Sequence, residues 1–156
     1  MAKISRRDFL KKGSAAMAGM IIAPSIVPSS VLGKTYGHKS PSDKLNILGV
    51  GVGGRGASDL AEMETENIIG LCDVDWKYAK HIFDKYPKAK RYKDWRKMYD
   101  EMLKSADAVM VATADHTHCI IAANAIMAGK HVYVEKPMTL YVYESRLLTM
   151  LAKKYK

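Results

Sequence analysis

Cysteine is scarce in this chain of 156 residues: Cys72 and Cys119 stand alone, with no C-x-x-C pair and no paired spacing. They read as two separate buried thiols. Repeats and low-complexity segments are absent as well. A long, purely apolar run is also missing. The uncharged stretch from Gly13 to Leu32 is interrupted by Gly13, Ser14, Gly19, Pro24 and Pro28, with Ala15 and Ala16 adding little hydrophobicity. That makes it too poorly apolar for a stable spanning helix. The formal charge of +9 does not extend evenly along the chain. Lys3, Arg6, Arg7, Lys11 and Lys12 face only Asp8 in the first 33 residues, which leaves 20 basic against 15 acidic residues, +5, beyond them. Those later lysines are interspersed with acids, so a solvated helix face is expected and a nucleic-acid partner is not.

What is present begins with Ser5-Arg6-Arg7-Asp8-Phe9-Leu10-Lys11, a basic stretch ahead of the weakly apolar run. This is the pattern of a twin-arginine export signal, so residues 1–33 are expected to engage the twin-arginine export machinery and to place the protein in the periplasm or cell envelope. Cleavage is expected between Ala23 and Gly33, with an uncleaved membrane anchor as the alternative. Residues 34–43, with Gly37, Ser40, Pro41 and Ser42, read as a linker.

From Lys44 short apolar runs alternate with longer amphipathic segments. Strands are expected at 45–50, 67–72, 89–92, 107–112 and 131–134, and helices at 54–64, 75–85, 94–104, 117–128 and 141–154. This rhythm predicts an α/β fold, a doubly wound parallel sheet of the Rossmann type over residues 44–156. Its signature is the turn Gly51-Val52-Gly53-Gly54-Arg55-Gly56, a G-x-G-x-x-G between strand and helix. Gly51 permits the tight turn, Gly53 lets backbone approach a pyrophosphate, and Gly56 lets the helix pack on its strand. The helix opening near Gly54 aims unpaired N–H groups at that phosphate.

The second strand ends in Asp73, 22 positions after Gly51. A carboxylate there accepts hydrogen bonds from ribose hydroxyls and repels a 2′-phosphate, so NAD is expected in preference to NADP. Arg55 can contact a phosphate or soften that exclusion, and Asp73 can alternatively cap the segment that starts at Asp75. The loop Thr113-Ala114-Asp115-His116-Thr117-His118 follows the fourth strand and should face the cofactor. A metal site on Asp115, His116 and His118 finds only Glu135 as a further ligand, and no second His/Cys cluster exists. In the blander reading Asp115 or Thr117 caps the next helix and His118 packs beneath it. After the fifth strand comes Glu135-Lys136-Pro137, with Glu135 and Lys136 expected beside the cofactor. A lysine there can hydrogen-bond a substrate hydroxyl as hydride leaves, with the neighbouring carboxylate orienting it; the alternative is a surface lysine before a turn.

The leader, VGVGGRG, CDVD, VATADHTH and EKP, in this order, resemble the N-terminal half of the Gfo/Idh/MocA oxidoreductases, the family of glucose–fructose oxidoreductase and inositol dehydrogenase. The resemblance implies a glycine turn at Gly51, Gly53 and Gly56, a ribose-binding acid at Asp73, a nicotinamide-side loop at Thr113, Asp115, His116 and His118, and an active-site lysine at Lys136. Ala114 departs from the proline usual in the family. Family members continue into a second α/β domain that supplies the substrate pocket, whereas this sequence stops at Lys156. A fragment, split gene or truncated frame is therefore expected, a non-enzymatic cofactor-binding remnant being the alternative.

The expected activity is NAD-dependent hydride transfer at a CH–OH group of a sugar or polyol, with the cofactor bound tightly enough to be exported with the protein. NAD-dependent glycoside hydrolysis is the alternative. The apolar face of the terminal helix, with Leu147, Leu148 and Leu151, and the last sheet edge favour self-association, and the full-length form is expected to be a homo-oligomer.

Overall fold

The computed structural model describes residue 40 and residues 43–155. The leader and anchor expected over residues 1–33, and most of the linker, lie outside the described residues.

Five short strands form one parallel sheet: β1 (Asn46–Val50), β2 (Asn67–Cys72), β3 (Lys90–Tyr92), β4 (Ala108–Val111) and β5 (His131–Val134). Their order across the sheet is β3-β2-β1-β4-β5. Chain direction across the sheet therefore reverses between β1 and β4, and right-handed crossovers carry the helices to opposite faces. This is the doubly wound arrangement expected from the alternation of strand and helix patterns. In register, Val50 lies beside both Cys72 and Val111, so the tips of β1, β2 and β4 end together.

On one face α1 (Arg55–Ala61) and α2 (Lys80–Lys85) cover Val52, Leu60, Leu71, Phe83 and Met110. On the other, α3 (Trp95–Met102) and α4 (Asp115–Met127) cover Leu48, Val50, Val109 and Val111. Leu48, Leu71 and Met110 are wholly buried, as central parallel strands covered on both sides require. The last helix, α5 (Val142–Lys154), seats Leu148 against Cys119, Ala122 and Ala123 on α4, with Leu151 packed beside them. The terminal apolar face is thus half used within the domain, which corrects the reading that left it free. Leu147 stays exposed.

Cys72 and Cys119 are both free and buried. Burial pushes the Cys72 thiol up to about 12, which keeps it unreactive.

Several boundaries shift by one to three residues, and the largest shift, five residues at the start of α2, has a local cause. A helix was expected from residue 75, but the Asp75 carboxylate accepts the N–H groups of Lys77 and Tyr78 at 3.0 and 2.9 Å, and this turn delays α2 to Lys80. Conversely, α4 begins at Asp115, two residues earlier than expected.

Tyr99 links the helices of one face: its buried hydroxyl donates to the Ile121 carbonyl at 3.2 Å, and burial raises its pKa. Tyr99→Phe removes one buried hydrogen bond while leaving the ring, so a loss of about 1 kcal/mol is expected. Urea unfolding midpoints of the two proteins measure it.

Candidate functional site

At the carboxyl ends of β1, β2 and β4 lies a cleft of about 760 Å³. Gly51 and Gly54 from the turn, Asp73 from the β2 tip, and Thr113 and His116 from the loop after β4 all line it. A crevice outside the strand ends at the point where strand order reverses is where ligands bind in open α/β sheets.

The glycine turn is built by contact as much as by sequence. Gly51 has φ +79°, and a Cβ there would stand 2.6 Å from both the Ala112 carbonyl oxygen and the Thr113 nitrogen. Gly56 lies so close under Gly51 that a Cβ would come within 2.2 Å of the Gly51 carbonyl oxygen. Together they bring the start of α1 against the tips of β1 and β4. The space beside Gly53 is taken by Tyr78 and Ala79, so that glycine also serves the packing of the segment before α2. No side chain caps the first turn of α1.

Asp73 does two things at once. One carboxylate oxygen accepts the Gly53 N–H at 2.9 Å and the other the Asp75 N–H at 3.0 Å. The second contact caps the segment that starts at Asp75, as the alternative reading had it, while α2 itself starts five residues later. The Asp73 carboxylate ties the glycine turn to the β2 tip and lies in the cleft wall.

The loop after β4 divides. Thr113 and His116 line the cleft. Asp115 is exposed on the first turn of α4, where its charge favours the helix dipole. Neither Asp115 nor Thr117 caps α4: the N-cap is Ala114, and the Thr117 hydroxyl bonds instead to the Ala114 carbonyl and the Thr113 hydroxyl, each at 2.8 Å. His118, expected among the cofactor contacts, is 1% exposed. Its Nδ1 lies 2.9 Å from the Pro137 carbonyl and its Nε2 2.9 Å from the Thr113 carbonyl. Both ring nitrogens are thereby used inside the protein, and His118 is a support beneath the loop, as the blander reading had it.

Lys136 is exposed just beyond β5, and among the described residues its ammonium has no ion pair. The peptide that follows it, to Pro137, is cis. Glu135, expected to orient this lysine, faces elsewhere: buried, it sits 3.5 Å from Arg55 Nε and accepts from the Tyr133 hydroxyl at 3.3 Å. Successive residues at a strand end point to opposite sides, which separates the two side chains. Arg55, expected near phosphate, is drawn to the same place by Asp59 at 3.2 Å. Burial raises the Asp59 pKa, Arg55 lowers it and Glu135 adds to the rise. Arg55 and Glu135 therefore form an ion-paired group beside the glycine turn, outside the cleft lining.

Among the described residues no group of three or more His, Cys, Asp or Glu side chains is placed to hold a metal ion, and no helix is long and apolar enough to cross a membrane. Tyr78, Lys93, Trp95 and Arg96 also line the cleft. Sequence reading passed over Lys93, Trp95 and Arg96 because the segment from β3 into α3 reaches the β2 tip only through the sheet order.

The cleft fits a dinucleotide. Its glycines clear backbone for a diphosphate, Asp73 offers an acceptor for ribose hydroxyls, and Ile120, Ile121 and Trp95 supply apolar wall for a flat heterocycle. Fold and cleft thus define a dinucleotide-binding Rossmann domain. Residues 44–156 match the Gfo/Idh/MocA oxidoreductase family through its NAD-binding Rossmann fold, and the chain belongs to that family.

Among its curated relatives, a glycosyl hydrolase family 109 protein of Shewanella baltica is 31% identical over 92% of this chain. An alpha-N-acetylgalactosaminidase of Shewanella oneidensis is 30% identical over the same share. This chain spans 36% of each of them, about a third of their length. Among solved structures, GenD2 from gentamicin A biosynthesis, in complex with NAD, superposes with a TM-score of 0.61 at 29% identity, over 72% of this chain and 32% of that one. The UDP-N-acetylglucosamine 3-dehydrogenase GnnA of Acidithiobacillus ferrooxidans does so with 0.59 at 26% identity, over 72% of this chain and 36% of its own.

Proposed function

We propose that this chain holds NAD along the cleft, and that Lys136 serves hydride transfer at a CH–OH carbon of a sugar or polyol. The observation that carries the reading is the meeting of Asp73, the glycine turn and the Thr113 loop around one crevice at the switch point. Bound NAD supplies the hydride acceptor. Asp73 holds the ribose hydroxyls, and its charge disfavours a phosphate on them. Lys136, projecting from the tip of β5, donates a hydrogen bond to the substrate oxygen and lowers the hydroxyl's pKa, so that its proton passes to water as the hydride leaves the carbon. The sugar-nucleotide dehydrogenase among the structural relatives supports this substrate class.

A second reading is NAD-dependent glycoside cleavage, in which transient oxidation of a sugar hydroxyl lets the glycosidic bond leave by elimination. The names of the curated relatives favour it. The leader suits either reading, because a cofactor carried out with an exported protein must be regenerated in each cycle.

An aryl N-acetylgalactosaminide separates them. Phenol release without added NAD identifies the hydrolase, and oxidation of one free sugar coupled to reduction of a second identifies the oxidoreductase. Neither signal from folded, NAD-loaded protein would overturn both.

Asp73→Asn keeps one acceptor oxygen but removes the charge and, because an amide nitrogen cannot accept, one of the two backbone N–H contacts of the carboxylate. The loss of a charge-assisted hydrogen bond is expected to weaken NAD binding about tenfold and to narrow the gap to NADP. Titration calorimetry with the two cofactors reads both effects.

A further inference from the structure

We infer that His118 is a positioning residue for Lys136, holding the turn that carries the lysine through the contact of its ring with the Pro137 carbonyl. The inference rests on the reading that Lys136 meets the substrate.

The backbone ladder between β4 and β5 ends where the Glu135 N–H donates to the Val111 carbonyl at 2.9 Å. Lys136 follows immediately, and Pro137 has no N–H to continue the ladder. Beyond that point the turn is held by the His118 ring, which reaches the Pro137 carbonyl at 2.9 Å. On its other side the ring reaches the Thr113 carbonyl at the same distance. Thr113 lines the cleft. One imidazole therefore spans the two segments that leave neighbouring strands, and its contact with Pro137 fixes where the lysine turn stands.

The ring is 1% exposed, so water does not compete for either contact. A carbonyl oxygen only accepts, so a hydrogen bond forms at whichever ring nitrogen carries hydrogen, and the other makes a close polar contact. The two contacts can be removed separately. The side-chain nitrogen of asparagine takes the place of Nδ1 and keeps the Pro137 contact; that of glutamine takes the place of Nε2 and keeps the Thr113 contact.

The test uses the full chain carrying His118→Asn, His118→Gln or His118→Ala, with backbone order at Lys136 and Met138 read by 15N relaxation. His118→Asn should keep both residues ordered. The glutamine and alanine variants should lower their order parameters below about 0.6. NAD affinity should stay within about twofold of the parent in all three, because the ring does not face the cleft. In whichever assay above the protein is active, kcat should fall roughly 10²-fold in the glutamine and alanine variants and far less in the asparagine variant, the scale expected of a misplaced catalytic group. An asparagine variant as disordered as alanine, a glutamine variant as ordered as the parent, or loss of folding in all three would overturn the inference. Lys136→Met separates it from the reading it rests on. Full activity in that variant removes the lysine's role, while order at residues 136 and 138 still reports whether His118 holds the turn.

Discussion

Gly56→Ala is expected to cost about 3 kcal/mol of folding stability, the upper end of the range for overpacking, and to abolish NAD binding. The added Cβ would stand 2.2 Å from the Gly51 carbonyl oxygen and 3.2 Å from the Ala112 Cβ. The first of these is backbone, fixed from the other side because the Gly51 N–H donates to the Cys72 carbonyl at 2.8 Å. Nothing flexible can yield, so α1 must move off the tips of β1 and β4. Gly54→Ala is the control. Its nearest neighbour would be the Tyr78 hydroxyl at 3.2 Å, the far end of an exposed side chain that can swing away. Urea midpoints and NAD titration of both variants make the comparison: a Gly56→Ala protein with parental stability would mean that the turn does not pack as described.

Lys136→Met is expected to lower kcat/KM about 10³-fold, within the range for loss of a general acid or base. It should leave NAD affinity unchanged and stability within about 0.5 kcal/mol, because the lysine is exposed and lies outside the cleft lining. The split is the informative part. A fall in NAD affinity as large as the fall in turnover would make Lys136 a binding residue and leave the proton step without a partner.

The parts of this molecule legible in its sequence are those governed by neighbours along the chain. The G-x-G-x-x-G turn requires φ +79° at Gly51 and contact at Gly56, and both demands are written into residue type. Strand alternation likewise gave the parallel, doubly wound sheet. The misread parts depend on groups far apart in sequence. Glu135 sits beside Lys136 in the chain but turns to Arg55, 80 positions earlier, because strand pleating sends adjacent side chains opposite ways. His118 carried the residue type of a ligand, but whether its ring opens to the cleft or bridges Thr113 and Pro137 is set by where the β5 turn lands. Leu148 found its partners on α4, which no local pattern specifies. Asp75 is the exception, a local side-chain turn that competed with the helix its neighbours favoured.

Cofactor discrimination tests the central claim most directly: the folded chain is titrated with NAD and, separately, with NADP. Saturable one-site binding of NAD, at least about tenfold tighter than NADP, is the predicted result, since the Asp73 carboxylate stands in the cleft wall and the proposed binding mode sets the adenosine ribose against it. A folded protein that binds NADP as tightly as NAD, or neither, would contradict it.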